Sequence, residues 1–224
     1  MKKIIFCLAT TALMTIGCSG KANAYKVSEK KFEEEITNYG FALNNNAKFE
    51  GSVVMTVGTE AMTQSLEMEM DSAGEHKRFK IHQEVEGEGE MDSVVELKET
   101  GETFELNWYR KSFDDTSYSL VKQEGLTREE LLSNLNEIVY LPGFKYNEVK
   151  FNEDNNSYHC DSYTVAIHDG GSVLAAIYTN VNLQFKNNRL DKVDFFLSAP
   201  GGNGTVQFAK TQSSGVTVEL PNIE

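Results

Sequence analysis

The sequence predicts an α+β fold that is mainly β. It is a curved antiparallel meander sheet of about ten to twelve strands, a half-barrel with an N-terminal helix and a mid-chain helix covering its concave face. Three observations carry this. Apolar and polar residues alternate with period two along most of the chain, clusters of turn residues separate the alternating runs, and only two stretches switch to helical spacing. Of 224 residues 40% are hydrophobic, enough for a real core, and the 3 Pro and 17 Gly exclude a collagen-like or low-complexity chain. The balance of 21 Lys and Arg against 34 Asp and Glu leaves a net charge of −13 with no compensating basic block, which argues against a nucleic-acid partner.

The first 24 residues carry an export signal. Lys2 and Lys3 precede an uncharged run from Ile4 to Ile16 that suits a signal-peptide apolar region and is too short to span a bilayer. Two processing sites follow. Ala22-Asn23-Ala24 has the small-x-small pattern of ordinary signal peptidase, whereas Thr15-Ile16-Gly17-Cys18 resembles a bacterial lipobox, with Thr15 where that motif usually has Leu. The lipobox resemblance implies that Cys18 becomes an acylated N-terminus, holding the protein to a bacterial membrane and facing the periplasm or the cell exterior. The expected organisation is a signal peptide over residues 1–17, a tether over 18–26 and a single domain over 27–224. Cleavage after Ala24 yields a soluble secreted protein instead. With Cys7 and Cys18 accounted for, Cys160 stands alone, and alternation on a strand separates it from its neighbour His159, so it is expected to be a buried, inert thiol.

From Val27 to Leu43, Phe32, Ile36, Tyr39 and Leu43 recur at spacings of four, three and four, giving one apolar helical stripe with Ser28 as N-cap. Alternation then takes over. Leu66, Met68 and Met70 oppose Glu67, Glu69 and Asp71; Phe79, Ile81 and Val85 oppose Lys80, His82 and Glu84; Phe104, Leu106 and Trp108 oppose Glu105 and Asn107. Turn residues at Gly58, Ser72-Ala73-Gly74, Gly87-Glu88-Gly89, Thr100-Gly101, Asp169-Gly170-Gly171, Asn187-Asn188 and Ser213-Ser214-Gly215 link these runs as hairpins. Thr127 to Val139 interrupts them. There Thr127 and Glu130 form a capping box and Leu131, Leu132, Leu135 and Ile138 an apolar face. After Pro142-Gly143 the strands resume, through Leu183 and Phe185, then Val193, Phe195 and Leu197, to a closing strand at Val216, Val218 and Leu220.

Two helices cannot cover so wide a sheet if it lies flat, so the sheet is expected to curl and leave an apolar concavity, a common form of ligand site. The order of export signal with lipobox, amphipathic helix, meander, inserted helix and closing β run resembles the lipoprotein-carrier superfamily (LolA/LolB, LppX-type). The resemblance is clearest where Val181 to Leu190 leads to Val206-Gln207-Phe208 and to Gly215 through Pro221. It implies a half-barrel that shelters an acyl chain such as palmitate, or another lipid.

The candidate cavity walls are Met55, Met62, Leu66, Met68, Met70, Phe79, Ile81, Met91, Phe104, Leu106, Trp108, Leu131 and Leu135. Outside Met1 and Met14, all methionines fall between positions 55 and 91, and soft thioethers suit variable apolar partners as readily as they fill gaps in an ordinary core. Enzyme signatures are missing. The four histidines lack metal-ligand spacing and are expected at the surface, Gly201-Gly202-Asn203-Gly204 is expected to be a turn, and Glu84, Glu86, Glu88 and Glu90 suit a solvated hairpin end better than a calcium site. No catalytic residue, metal or cofactor is expected. Three functions remain: a lipid-binding envelope lipoprotein, a membrane-tethered interaction module with a filled core and an envelope protein partner, and an exported hydrolase.

Overall fold

The opening helix forms where the cap and stripe place it. In the computed structural model, which describes residues 26–36, 45–57, 60–136, 144–169, 172–199 and 202–223, α1 spans Glu29–Ile36. Ser28 Oγ accepts from the Lys31 N–H at 3.3 Å, satisfying a donor that the first helical turn leaves open. Phe32 and Ile36 are fully buried. The export segment with Cys18, and the helical positions Tyr39 and Leu43, lie outside the described residues.

Alternation then builds β1 (Ala47–Val57), β2 (Glu60–Asp71), β3 (His76–Val85), β4 (Gly89–Thr100), β5 (Thr103–Lys111) and β6 (Ser119–Leu126). Helix α2 (Arg128–Asn136) and a short 3-10 turn at Tyr146–Glu148 follow. The chain finishes its sheet with β7 (Lys150–Asn152), β8 (Ser157–Asp169), β9 (Ser172–Lys186), β10 (Arg189–Ala199) and β11 (Gly202–Gln212). All pair antiparallel in one curved 11-stranded sheet of order β6-β5-β4-β3-β2-β1-β11-β10-β9-β8-β7. This is the expected fold class. The first strand pairs with the last at the centre, and β6 and β7 lie at the two edges, joined through α2 and the 3-10 turn.

The capping box of α2 forms as expected. Thr127 N–H donates to Glu130 Oε2 at 2.8 Å and Glu130 N–H to Thr127 Oγ1 at 3.3 Å, and Leu131 and Leu135 are fully buried. On the other side Phe32 meets Tyr158 at 4.9 Å, Tyr146 at 5.5 Å and Phe185 at 5.8 Å between ring centroids. Both tyrosine hydroxyls donate to the Val27 carbonyl, Tyr158 at 3.1 Å and Tyr146 at 3.4 Å. The residues of both helices join one hydrophobic core with those of the sheet. Curvature has a local cause as well. Asn180 takes a left-handed φ of 52° where the β9 to β10 register shifts between Asp194 and Phe196, so an extra residue bends the strand.

Two expectations are corrected. Gly202, Asn203 and Gly204 belong to β11 rather than to a turn, and Gly204 pairs with Met55 and Leu197. The expected closing strand is not one. Residues 215–223 have no regular secondary structure, and Val218 packs with Val94 and Tyr109 on the face of the sheet opposite the main core. Asn46 holds both backbone groups of Val216, accepting from its N–H at 2.9 Å and donating to its carbonyl at 2.8 Å; Asp71 accepts from the Val218 N–H at 3.3 Å. Side chains thus take the role of a neighbouring strand, and periodicity alone does not separate the two arrangements.

Gly51 is needed for the central pairing. It lies opposite Phe208, and a Cβ there would run into the Gln207 carbonyl and sit 2.6 Å from Phe208 Cα. Gly51→Ala is expected to destabilise the fold by about 1–3 kcal/mol through overpacking against backbone that has no rotamer to change. Urea denaturation of the variant against the parent chain checks this.

Candidate functional site

Period-two alternation sends the candidate wall residues to one face of the sheet. Leu66, Met68, Met70, Phe79, Ile81, Phe104, Leu106, Leu131 and Leu135 are all buried in the main core, with Met55 and Trp108 partly buried against it. The two helices supply Leu131, Leu135, Phe32 and Ile36 to this face, so its middle is filled by the protein's own side chains. Met62 and Met91 remain half-buried. The candidate residues therefore divide into a packed centre and a less covered rim.

The rim at the β1-β2 and β3-β4 hairpins has a specific composition. Met55 is the cross-strand partner of Met62, and Met91 is that of Gln83. Between them run two amides. Gln83 Nε2 donates to Gln64 Oε1 at 3.2 Å, and Gln64 Nε2 lies 4.0 Å from the Met55 sulfur. Gln83 is only 3% exposed, an unusual depth for an amide, which must be hydrogen-bonded to be tolerated there. Methionines around a short buried amide relay form an apolar surface with a few fixed polar groups, the composition of small-ligand sites. The two glutamines escaped the sequence analysis, although both occupy inward positions of their strands and that placement was a signal.

Trp108 adds a second polar point. Its indole lies under the Arg110 guanidinium, 4.4 Å from ring centroid to Cζ, and its buried Nε1–H has no acceptor among the described residues. A buried donor without a partner is destabilising on its own and is open to any acceptor that enters.

The opposite face of β3 to β5 carries charge where plain alternation predicts solvated side chains. Glu96, 8% exposed, accepts from Arg78 Nε at 3.0 Å and Nη2 at 2.8 Å on one oxygen and from Asn107 at 3.2 Å on the other. Asp92, 7% exposed, meets His82 Nδ1 at 2.8 Å and accepts from the Tyr118 hydroxyl at 2.8 Å, with Lys80 at 3.7 Å. His82 is accordingly a half-buried partner rather than the free surface histidine expected. An Asp-His pair is part of a hydrolase triad, but there the imidazole must contact the nucleophilic hydroxyl. Here the Tyr118 hydroxyl donates to Asp92, and burial together with that bond pushes its pKa up to about 12, away from reactivity.

Cys160 is buried on the core side and His159 points to the other face, where it contacts Asn182 and Asp161 at 2.9 Å each. Burial pushes the Cys160 thiol up, as for the inert thiol expected. Glu84, Glu86, Glu88 and Glu90 are all exposed about the β3-β4 turn. Among the described residues no helix is long and apolar enough to cross a membrane.

Burial raises the Asp92 pKa, but hydrogen bonds from His82 and Tyr118 and the Lys80 charge outweigh it, so the carboxyl lies below its usual 3.8. A carboxylate favoured in the fold stabilises it fully above the unfolded-state value and less as pH falls through the folded one. Asp92→Asn is therefore expected to narrow the stability gap to the parent as pH drops below about 4. Urea midpoints measured from pH 7 to pH 3 test this, and a gap constant across that range would contradict it.

No protein-family model and no curated protein matches the chain. Among solved structures, the chain is similar to the one described as the crystal structure of MucB in complex with MucA(peri), at 10% identity. The alignment covers 84% of this chain and 99% of that one, with a TM-score of 0.19.

Proposed function

We propose that the chain is an exported, non-enzymatic envelope protein of the lipoprotein-carrier type. It is tethered to a bacterial membrane through an acylated Cys18 and takes an acyl chain or similar apolar ligand at the concave face of its sheet. The observation that carries this reading is the rim of half-buried Met55, Met62 and Met91 around the Gln64 and Gln83 amides. Flexible thioethers adapt to a chain without fixed shape, and the amides orient a polar group at its end. The Trp108 N–H offers a further donor on the same face. Because Leu66, Met68 and Leu106 are sealed in the core, the ligand engages the rim rather than the sheet centre.

A second reading rests on β6. It pairs only with β5 among the described residues, which leaves one backbone ladder at the sheet edge for a partner's strand. That reading is an envelope interaction module.

Native mass spectrometry of the full chain, released from membranes with mild detergent and followed by organic extraction, separates the two. A lipid adduct beyond the covalent anchor is expected, with affinity reduced about tenfold or more in the double variant Met55→Ser and Met62→Ser, since each buried thioether contributes on the order of 1 kcal/mol. A clean mass with no uptake of added palmitate or phospholipid would sink lipid binding and leave the β6 edge as the surface to pursue.

A further inference from the structure

At the other end of the sheet, around the β9-β10 hairpin and the start of β1, lies a cavity of about 580 Å³ that the apolar reading does not use. Its character is opposite to that of the protein as a whole. In a chain of net charge −13, its walls hold Lys186, Arg189 and Lys210 against a single carboxylate, Asp191. Like charges gathered in a concave site focus a positive field there, whatever the net charge elsewhere.

Lys186 and Arg189 are exposed and Lys210 is half-buried, and two features set the three apart from scattered surface charge. Lys186 and Arg189 are directly opposite each other across the hairpin, an arrangement that like charges disfavour. Arg189 is held by the buried Glu35 at 2.7 Å, which also binds Lys31 at 2.8 Å and accepts from the Leu190 N–H at 3.3 Å, so that carboxylate is already shared. Neither Lys186 nor Lys210 has a carboxylate within 4 Å among the described residues. Lys210 is half-buried, its ammonium 5.4 Å from the Phe49 ring centroid, and desolvation lowers its pKa despite the more distant Glu35 and Asp191. A cation kept from water without a direct counter-charge is stabilised by any anion that reaches it.

We propose that this pocket binds an oxyanion of the phosphate class, with Lys210 and Lys186 as its charged donors and Arg189, fixed by Glu35, completing the positive wall. The site is separate from the methionine rim and does not depend on the lipid reading. Free phosphate and the phosphodiester head of an anionic lipid share the required chemistry.

The test uses the full chain in neutral detergent and two probes, inorganic phosphate and dihexanoylphosphatidylglycerol below its micelle concentration, followed by isothermal titration at low and high salt. Saturable binding of either probe is expected, weaker at high salt and weakened about tenfold or more by Lys210→Met, which retains the aliphatic packing on Phe49. Lys186→Gln, on the exposed hairpin, is read alongside it and stands alone if the Lys210 variant does not fold. Binding of phosphate identifies a small-anion site, and binding of only the lipid analogue identifies a head-group site. No binding of either probe, or affinity unchanged in both variants, overturns the proposal.

Discussion

The pairing of β1 with β11 is the constraint on which the rest depends. By joining the two ends of the meander at the centre of the sheet, it sends successive hairpins outward on either side and leaves β6 and β7 as opposite edges. Between those edges in the sequence come the elements that cover one face. Helix α2 and the 3-10 turn with Tyr146 lie there, and α1 packs on the same side beside β10, so the helices cover the face to which alternation already sends the apolar side chains. The missing side chain at Gly51 lets Phe208 approach closely at the one ladder that holds both halves together.

Most of this was legible in the sequence because sheets and helices have different periods. Inward positions of β2, β3 and β5 were correctly assigned, and both helix caps formed as their residues indicated. Alternation failed where a strand is covered on both sides. In β4, Val94, Val95, Glu96 and Leu97 are buried in succession, and no simple two-fold pattern survives. The cause is the C-terminal segment, which lies over Val94 and Tyr109 and is itself alternating, so its local sequence resembles a twelfth strand. Only the distant partners Asn46, Asp71 and Arg78 distinguish it, and distance in space is what a one-dimensional pattern omits.

The candidate site was legible in its apolar half alone. Clustering of methionines between positions 55 and 91 marked β1 to β4, but the structure divides them, with Met68 and Met70 sealed in the core and Met55, Met62 and Met91 at the rim. Burial depth depends on where helices stop, a tertiary property. Polar groups were harder still. Gln64 and Gln83 acquire meaning only through their register, and Lys210 only through the hairpin that brings Lys186 and Arg189 to its side of the molecule.

The central ladder also sets the order in which this protein can be made. Ser52 and Gln207 touch across 155 residues of chain, so β1 waits for nearly the entire polypeptide before its second partner exists. Contacts of that sequence separation slow folding, because the entropy of closing the loop precedes the reward. Each half can assemble from local hairpins first, which leaves β1 and β11 as two open edges of matching register. A chain in that state exposes its most adhesive surface until the last strand is in place, and only closure of the central ladder within one molecule removes the chance of pairing with a neighbour.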